Sequence, residues 1–474
     1  MPDSPRTDAV IIGSGPNGLA AAIVLASEGL SVLLIEGDET VGGGMRTREL
    51  TLPGFAHDVC SAVHPLSISS PFFQSLDLQA HGVEWIQPPI ALAHPFDDGT
   101  VANIKAIHGV DGIDDDTATW NAMYDHLTEH WTELIDDLLR PISIPHHPFL
   151  TVRFGKEAIR SAEKLATGRF KGKKARALFG GISAHSIMPL HQSGTAAFGL
   201  MLGTAAQAVG WPIVKNGSQR IADALTDIFL SLGGRIQTGT HVSSIEQLPK
   251  ARIVIFDLNP KQIADILGPH LSNRYRNRLV NHRYGPGIFK CDWALDGPIP
   301  WQTEECLRAG TIHLGDSLAE IAASEKSAWD GKIVERPFTI LAQQSLFDTT
   351  RAPAGKHTAW AYCHVPNGSD VDMTDRIEAQ IERFAPGFRE RILARHTMTP
   401  FDLEAYNPNY VGGDIGGGEQ NLRRMLLHPL RRWKAYSIPV KGMYICSSSM
   451  PPGGGVHGMC GYYAAHMALK DICH

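Results

Sequence analysis

A glycine-rich turn near the N-terminus constrains the fold of this chain more than any other feature. The turn reads Gly13-Ser-Gly15-Pro-Asn-Gly18 and follows the apolar run Ala9 to Ile12. Such a run is typical of a buried parallel strand. Gly13 allows a tight turn, Gly15 lets a ligand approach the backbone, and Gly18 lets a helix pack closely on the sheet. The sequence therefore predicts a strand, a turn and a helix whose N-terminus faces an anionic ligand.

A second strand is predicted at Ser31 to Ile35, and it is followed directly by Glu36. In a βαβ unit a carboxylate at this position accepts hydrogen bonds from ribose hydroxyls. The alternative is a chance glycine pattern in an ordinary turn, but the order of strand, helix, second strand and acid favours a dinucleotide site. The acid favours FAD or NAD over NADP, because it would repel a ribose phosphate.

Composition describes an ordinary folded chain of 474 residues with a net charge of −6, which gives no reason to expect nucleic-acid binding. The seven cysteines are scattered and form no C-x-x-C motif, so we expect reduced thiols and a cytoplasmic protein. From the short polar N-terminus we expect no signal peptide. No acidic residue or cysteine clusters beside His146-His147 in the sequence, and we expect no metal site.

The segment 156–176 carries eight lysines and arginines against two glutamates, whereas 177–214 contains no Asp, Glu, Lys or Arg. Pro189 and the abundance of small residues argue against a transmembrane span. A buried helix lining an apolar tunnel is the default interpretation of 177–214. The alternative is a surface that rests on anionic lipid and admits an apolar substrate, with possible peripheral membrane contact through 156–176. A basic run alone is more often a solvated face.

Further elements follow from periodicity and turn residues. Expected helices lie within 113–140, after Asn216, at Pro260 to Leu267 and at Asp375–Phe384. Expected strands lie at 235–242, 252–257, 338–342 and 358–364. The tail repeats the opening pattern, with a strand in 442–449, a glycine turn in 450–458 and a helix from Cys460 to Ile472. That turn would let backbone N–H groups converge on a ligand, although a linker at the end of a domain is the alternative.

Three of these segments together carry a resemblance. The N-terminal fingerprint with Gly42-Gly43-Gly44, the helix after Gly217-Ser218 leading to His241-Val242, and the tail Pro451 to Gly458 resemble the phytoene desaturase-like flavoproteins. That family includes carotenoid isomerases and retinol saturases and is distantly similar to amine oxidases. The resemblance implies an α/β fold: a Rossmann-like FAD-binding domain of the glutathione-reductase-like, amine-oxidase/phytoene-desaturase type, with an inserted α+β substrate domain. We expect residues 1–95, 210–272 and 400–474 to form the first domain, and 96–209 and 273–399 the second.

The resemblance also implies roles for individual residues toward non-covalently bound FAD. Gly13, Gly15 and Gly18 would meet the pyrophosphate, Glu36 would hold the adenosine ribose, and the Val242 backbone would pair with adenine. Gly43, Gly44 and Arg46 would lie along the pyrophosphate and ribitol, and Gly454 to His457 would cap the flavin. The full set of expected cofactor-binding residues is Gly13, Gly15, Pro16, Asn17, Gly18, Glu36, Gly37, Gly43, Gly44, Met45, Arg46, Val242, Ser448, Gly454, Gly455, Val456 and His457.

The expected activity is hydride transfer between an apolar, isoprenoid or lipid-like substrate and flavin N5, giving desaturation or saturation. A redox-neutral double-bond isomerase, an amine or amino-acid oxidase and a non-catalytic flavin-holding protein are the alternatives. His64 and His457 are the candidate acid–base residues, because histidine titrates near neutrality. For each of them a structural hydrogen bond is the competing interpretation.

Overall fold

The computed structural model describes residues 7–107, 109–422, 430 and 434–472. The helices are α1 (Pro16–Ser27), α2 (Pro65–Ser69), α3 (Pro71–Gln74), α4 (Thr117–Glu129), α5 (Trp131–Leu138), α6 (Pro148–Ala158), α7 (Ala162–Arg169), α8 (Lys173–Ser183), α9 (Thr195–Ala208), α10 (Gln219–Ser231), α11 (Pro260–Leu267), α12 (Asn273–Val280), α13 (Glu304–Leu307), α14 (Leu318–Trp329), α15 (Thr374–Phe384), α16 (Pro400–Tyr406) and α17 (Met459–Ile472).

The strands are β1 (Ala9–Ile12), β2 (Val32–Ile35), β3 (Thr47–Glu49), β4 (Ala56–Asp58), β5 (Trp85–Ile86), β6 (Ile90–Pro95), β7 (Val101–Lys105), β8 (Gly109–Asp111), β9 (Ile213–Val214), β10 (Arg235–Gln237), β11 (Ile253–Phe256), β12 (Gly287–Leu295), β13 (Ala309–Leu314), β14 (Thr339–Ala342), β15 (His357–Val365), β16 (Ile392–Met398) and β17 (Met443–Ile445).

A parallel five-stranded sheet with the order β10-β2-β1-β11-β17 holds the N-terminal motif. β1 lies at its centre and pairs with β2 and β11, so that Ala9 is opposite Val32 on one side and Ile253 on the other. All four residues of β1 are buried, which explains their continuous apolar sequence. This sheet confirms the expected Rossmann-like α/β fold.

An eight-stranded sheet with the order β16-β12-β15-β14-β13-β6-β7-β8 forms the second layer. Its strands pair antiparallel, except that β13 and β6 run parallel. The predicted boundary at residue 95 assigns β6 to the cofactor domain, and the structure places β6 inside this second sheet.

Helices α1 and α17 pack against each other and bring the two ends of the chain together. Gly461 makes this contact possible, because a Cβ at this position would overlap the Asn17 carbonyl oxygen. The tail turn therefore reaches the first glycine turn through close helix packing.

Most of the expected elements are present with shifted ends. The segment 113–140 forms two helices, α4 and α5, instead of one. The strand expected at 235–242 ends at Gln237, because Gly239 adopts a φ of 62° and donates its N–H to the Asp38 carbonyl, which turns the chain away. Among the described residues, no helix is both long and apolar enough to cross a membrane.

The surroundings of His146 correct one expectation. The ring Nδ1 of His146 lies 2.8 Å from Asp136 Oδ2, and the backbone N–H of His146 donates to Asp137 Oδ1 at 2.7 Å. Acidic partners are therefore present, supplied by the end of α5 ten residues earlier in the chain. This group is exposed or half-buried, and Asp137 binds the backbone at the start of α6.

Candidate dinucleotide site and adjoining cavity

A cavity of about 750 Å³ lies between the two sheets, with walls from both of them. One wall consists of the glycine turns and the carboxyl ends of β1, β2 and β11. The other wall consists of α6, α9 and the facing strands of the eight-stranded sheet. A large cavity at the carboxyl ends of parallel strands is where open α/β sheets bind their ligands.

The first glycine turn packs directly on Asp257, which follows β11. The Gly18 N–H donates to Asp257 Oδ2 at 2.9 Å. A Cβ on Gly15 would lie 2.7 Å from the same oxygen, and a Cβ on Gly18 would overlap the Gly13 carbonyl. Burial, together with the nearby Glu36 carboxylate, raises the pKa of Asp257 to about 7. Glycine is therefore required here by the protein's own packing as well as by any ligand.

Glu36 is anchored at the end of β2. Its Oε2 accepts hydrogen bonds from the N–H and hydroxyl of Ser14, at 2.8 and 2.5 Å. Its Oε1 accepts from the Asp38 N–H at 2.9 Å and from Arg46 at 3.3 Å. These donors hold the carboxylate in one orientation at the edge of the cavity.

The turn at residues 43–46 lies against a tyrosine pair from the C-terminal half of the chain. Tyr406 donates its hydroxyl to the Gly43 carbonyl at 2.9 Å, and the Arg46 guanidinium lies 5.6 Å from the Tyr406 ring centre. Gly44 leaves room for the Tyr410 hydroxyl, which a Cβ there would overlap. This turn is therefore fixed by residues some 360 positions away.

The tail turn approaches the cavity from the other side and is held by the segment 65–70. Ser67 donates its hydroxyl to the Val456 carbonyl at 2.5 Å, and Ser70 donates to the His457 carbonyl at 2.6 Å. Gly454, Gly455 and Val456 line the cavity. The structure thus brings both ends of the chain to one site.

His64 lines the cavity, and His457 is buried behind its wall. The Ser218 hydroxyl donates to the Ser61 carbonyl at 2.6 Å and therefore accepts from His64 Nε2 at 2.8 Å. His457 Nδ1 accepts from the Met459 N–H at 3.1 Å. Burial lowers the pKa of each imidazole to about 4, so both are neutral at pH 7. The contacts of His64 and His457 therefore agree with structural hydrogen bonds, the alternative to an acid–base role.

Most of the expected cofactor residues meet at the cavity. Those in its wall are Gly13, Gly15, Pro16, Asn17, Glu36, Gly37, Gly43, Gly44, Arg46, Val242, Ser448, Gly454, Gly455 and Val456. Three expected residues, Gly18, Met45 and His457, are not in the wall. Gly18 packs beneath the turn, and Met45 and His457 are fully buried.

The second wall is predominantly apolar and contains one buried cation. Ile288, Ile340, Ala342, Trp360, Tyr362, Phe154, Ala197, Phe198, Met201, Leu202 and Trp211 contribute to it. Lys290 lies among them and is 1% exposed. Its Nζ binds both oxygens of Asp292 at 2.5 Å and lies 5.6 Å from the Trp360 ring centre. The buried charge is therefore neutralised by a close carboxylate.

Sequence reasoning missed Asp257, Lys290 and the tyrosine pair. Asp257 could have been predicted from the sequence, since it directly follows β11, the fourth strand of the parallel sheet, and ligand-facing residues collect at the carboxyl ends of such strands. Lys290 and Asp292 alternate within a nine-residue strand that is otherwise apolar, but their face becomes clear only from the strand order. The helix expected within the uncharged segment 177–214 does line the cavity, through α9.

Comparison with known proteins agrees with this geometry. Residues 11–77 match the family model described as NAD(P)-binding Rossmann-like domain. The rat pyridine nucleotide-disulfide oxidoreductase domain-containing protein 2 is 25% identical, over 99% of this chain and 94% of its own. A limonene dehydrogenase component of Castellaniella defragrans is 20% identical, over 100% and 96%. The neurosporene-forming phytoene desaturase of Rhodobacter capsulatus is 24% identical, over 52% and 51%.

Among solved structures, an oxidoreductase from Methanosarcina mazei superimposes with a TM-score of 0.65 at 16% identity, covering 98% of this chain and 100% of its own. The fold and the glycine site define a Rossmann-type oxidoreductase. The chain resembles the phytoene desaturase-like flavoproteins, which are FAD-dependent oxidoreductases, at identities of 20% to 25% to these relatives.

Proposed function

We propose that this chain binds FAD in the cavity and transfers hydride between flavin N5 and a carbon of an apolar, isoprenoid or lipid-like substrate, giving desaturation or saturation. One observation carries the proposal: the glycine turns, the anchored Glu36 and a long apolar wall share a single cavity. FAD supplies the redox chemistry when bound, and the protein supplies position and environment.

The residues of the first wall fit an extended flavin dinucleotide. The N-terminus of α1 offers a partial positive charge suited to a pyrophosphate. Glu36 presents a carboxylate suited to ribose hydroxyls. Gly454 and Gly455 provide a second backbone surface without side chains, beside the start of α17.

The second wall supports an apolar substrate. Among the described residues it presents no Asp or Glu to the cavity, since Glu36, Asp38 and Asp257 all belong to the first wall. Burying an apolar ligand there is worth about 25 cal/mol for each Å² removed from water. The names of two relatives, limonene dehydrogenase and phytoene desaturase, also refer to isoprenoid substrates.

Anaerobic mixing of the FAD-loaded protein with candidate substrates tests this proposal. An isoprenoid hydrocarbon or its oxygenated derivative should bleach the flavin absorbance if the protein desaturates, and chemically reduced flavin should reoxidise with an unsaturated acceptor if it saturates. A primary amine should do neither, because the second wall offers no carboxylate that could pair with an ammonium group. Selective reduction by a polar amine would overturn the proposal.

The remaining alternatives give different results in the same experiment. A redox-neutral isomerase would need reduced flavin, and it would isomerise the substrate while the flavin stays reduced. A non-catalytic protein would hold flavin that neither apolar substrate nor acceptor affects. Neither alternative is favoured by a specific contact in the cavity.

We further propose that the protein is cytoplasmic and makes peripheral contact with anionic lipid through α6 and the basic segment 156–176. Helix α6 has two apolar faces: Phe154 lines the cavity, while Phe149 and Val152 on the opposite face are 92% and 70% exposed. Ile144 in the preceding loop is 88% exposed. Lys156, where the basic segment 156–176 begins, lies on the same helix. Exposed apolar side chains beside lysines suit an anionic lipid surface.

Co-sedimentation with phosphatidylserine-containing vesicles at low and high salt tests this contact. Binding should occur at low salt and weaken with salt, and it should fall in a Phe149→Ser/Ile144→Ser variant. Phe401→Ser, which changes a phenylalanine that is 56% exposed on α16, is the matched control and should leave binding unchanged. Absence of binding by the parent protein at low salt would exclude the contact.

A further inference from the structure

A small polar group interrupts the apolar wall. It consists of His185 and Ser186, in the short turn after α8, and Thr311 on β13. All three line the cavity. Ser186 and Thr311 are 1% and 3% exposed, yet neither hydroxyl has a hydrogen-bond partner among the described residues. Buried hydroxyls are rarely left unpaired, so these two call for a ligand or an ordered water molecule.

The strand geometry explains how this group forms. Thr311 and His313 alternate with Ile312 on β13 and therefore share one face of the sheet. On that face His313 Nε2 lies 3.0 Å from His185 Nε2. The Trp211 ring packs edge-on against the His185 imidazole, with 5.7 Å between ring centres. These contacts fix the orientation of the His185 ring at the cavity wall.

One proton lies between the two imidazoles, and the ring that carries it can be assigned. Burial lowers the pKa of His185 to about 3 and that of His313 well below its usual value, so both rings are neutral at pH 7. His313 Nδ1 lies against Gly181, where a Cβ would come within 2.7 Å, and it has no partner among the described residues. Because orphaned buried N–H groups are rarer than orphaned acceptors, we assign His313 Nδ1 as the bare nitrogen.

That assignment determines the character of His185. His313 Nε2–H then donates to His185 Nε2, and the proton of the second ring is on His185 Nδ1. His185 Nδ1 makes no hydrogen bond to the described residues. The cavity wall therefore holds one N–H donor beside two hydroxyls that can donate or accept.

We infer that the substrate carries an oxygen function, a carbonyl or a hydroxyl, on its apolar skeleton, and that His185 Nδ1–H, Ser186 and Thr311 bind that oxygen. The inference rests on the proposed function, because it concerns the same cavity. His185 acts here as a specificity-determining residue, since a pure hydrocarbon would leave all three polar groups unpaired. A site built to bind an oxygen discriminates against the analogue that lacks it.

Binding measurements on the FAD-loaded protein test the inference without requiring turnover. Fluorescence of the cavity tryptophans is followed during titration with farnesal, farnesol and the hydrocarbon farnesene. These three ligands have sesquiterpene skeletons of the same size and differ in the oxygen function. The two oxygenated ligands should bind at least about tenfold more tightly than the hydrocarbon. Equal affinities, or tighter binding of the hydrocarbon, would overturn the inference and would indicate that ordered water satisfies the polar group.

Variants assign the preference to these residues. His185→Phe should abolish the preference for oxygen while leaving hydrocarbon affinity within about twofold, His185→Gln should retain part of it, and Thr311→Val should reduce it. Thr226→Val is the matched control: its hydroxyl is also buried without a partner among the described residues, but it does not line the cavity. Circular dichroism and flavin content establish that each variant is folded.

A preference that survives His185→Phe would contradict the assignment. If the preference is present but no apolar ligand changes the redox state of the flavin, the proposed function fails while the binding inference stands.

Discussion

The carboxyl of Asp257 should make the stability of this protein depend on pH in a direction unusual for an aspartate. It lies beneath the first glycine turn and accepts the Gly18 N–H. Burial and the neighbouring Glu36 raise its pKa from 3.8 to about 7. The folded chain therefore keeps this proton up to about pH 7, whereas the unfolded chain loses it near pH 4. The stabilisation that the protonated Asp257 carboxyl contributes is complete below its pKa in the unfolded chain. It is lost as the pH rises through its pKa in the folded chain.

The magnitude follows from the pKa difference. Each pKa unit corresponds to about 1.4 kcal/mol. Between about pH 5.5 and pH 8.5 the free energy of unfolding should fall by roughly 2 kcal/mol through this group, because pH 5.5 lies about one and a half units below the folded pKa. In Asp257→Asn that component is absent, while an amide oxygen can still accept the Gly18 N–H.

Urea unfolding of the parent protein and Asp257→Asn, at matched flavin content, measures the effect at both pH values. The difference between the two proteins isolates Asp257 from the buried histidines, since those titrate equally in both. Asp98→Asn, in an exposed turn, is the control and should follow the parent protein. If the parent and Asp257→Asn curves remain parallel from pH 5.5 to 8.5, Asp257 is ionised throughout and the reasoning is wrong.

Three further substitutions have expected outcomes. Gly15→Ala should weaken FAD binding at least about tenfold in a fluorescence titration, because its Cβ would lie 2.7 Å from Asp257 Oδ2 and displace the turn; unchanged affinity would contradict this. Glu36→Gln should also weaken FAD binding about tenfold or more, with Glu39→Gln as the control, since an amide cannot accept all the hydrogen bonds that Glu36 accepts. Asp292→Ala should cost about 3–5 kcal/mol of unfolding free energy by leaving Lys290 buried and unpaired, and Lys290→Met/Asp292→Leu should cost less; an equal or larger cost for the double variant would contradict the buried-charge explanation.

Local sequence predicts the first wall of the cavity well. Gly13 to Glu36 and the tail turn are short motifs whose geometry depends on neighbours within one βαβ unit or one strand–turn–helix unit. Their meeting at one site required the family resemblance, because only helix packing through Gly461 brings the two ends together. Even within this wall, the early end of β10 at Gln237 depended on a single glycine with positive φ.

The contacts within the second wall could not be predicted from local sequence. His185 and His313 are 128 positions apart and meet because β13 lies beneath the end of α8. Lys290 and Tyr362 become neighbours through the antiparallel register of β12 and β15. Such pairings are set by strand order and crossover connections, and a shift of one residue would turn the same side chains to the opposite face.

The identity and stoichiometry of the dinucleotide released on denaturation test the central claim most directly. The flavin-free protein is reconstituted with FAD, NAD and NADP in competition, desalted and denatured, and the supernatant is separated by chromatography. One FAD per chain, released without covalent attachment, is the predicted result. Retention of NAD or NADP in place of FAD, or no retained dinucleotide in a folded protein, would contradict the account.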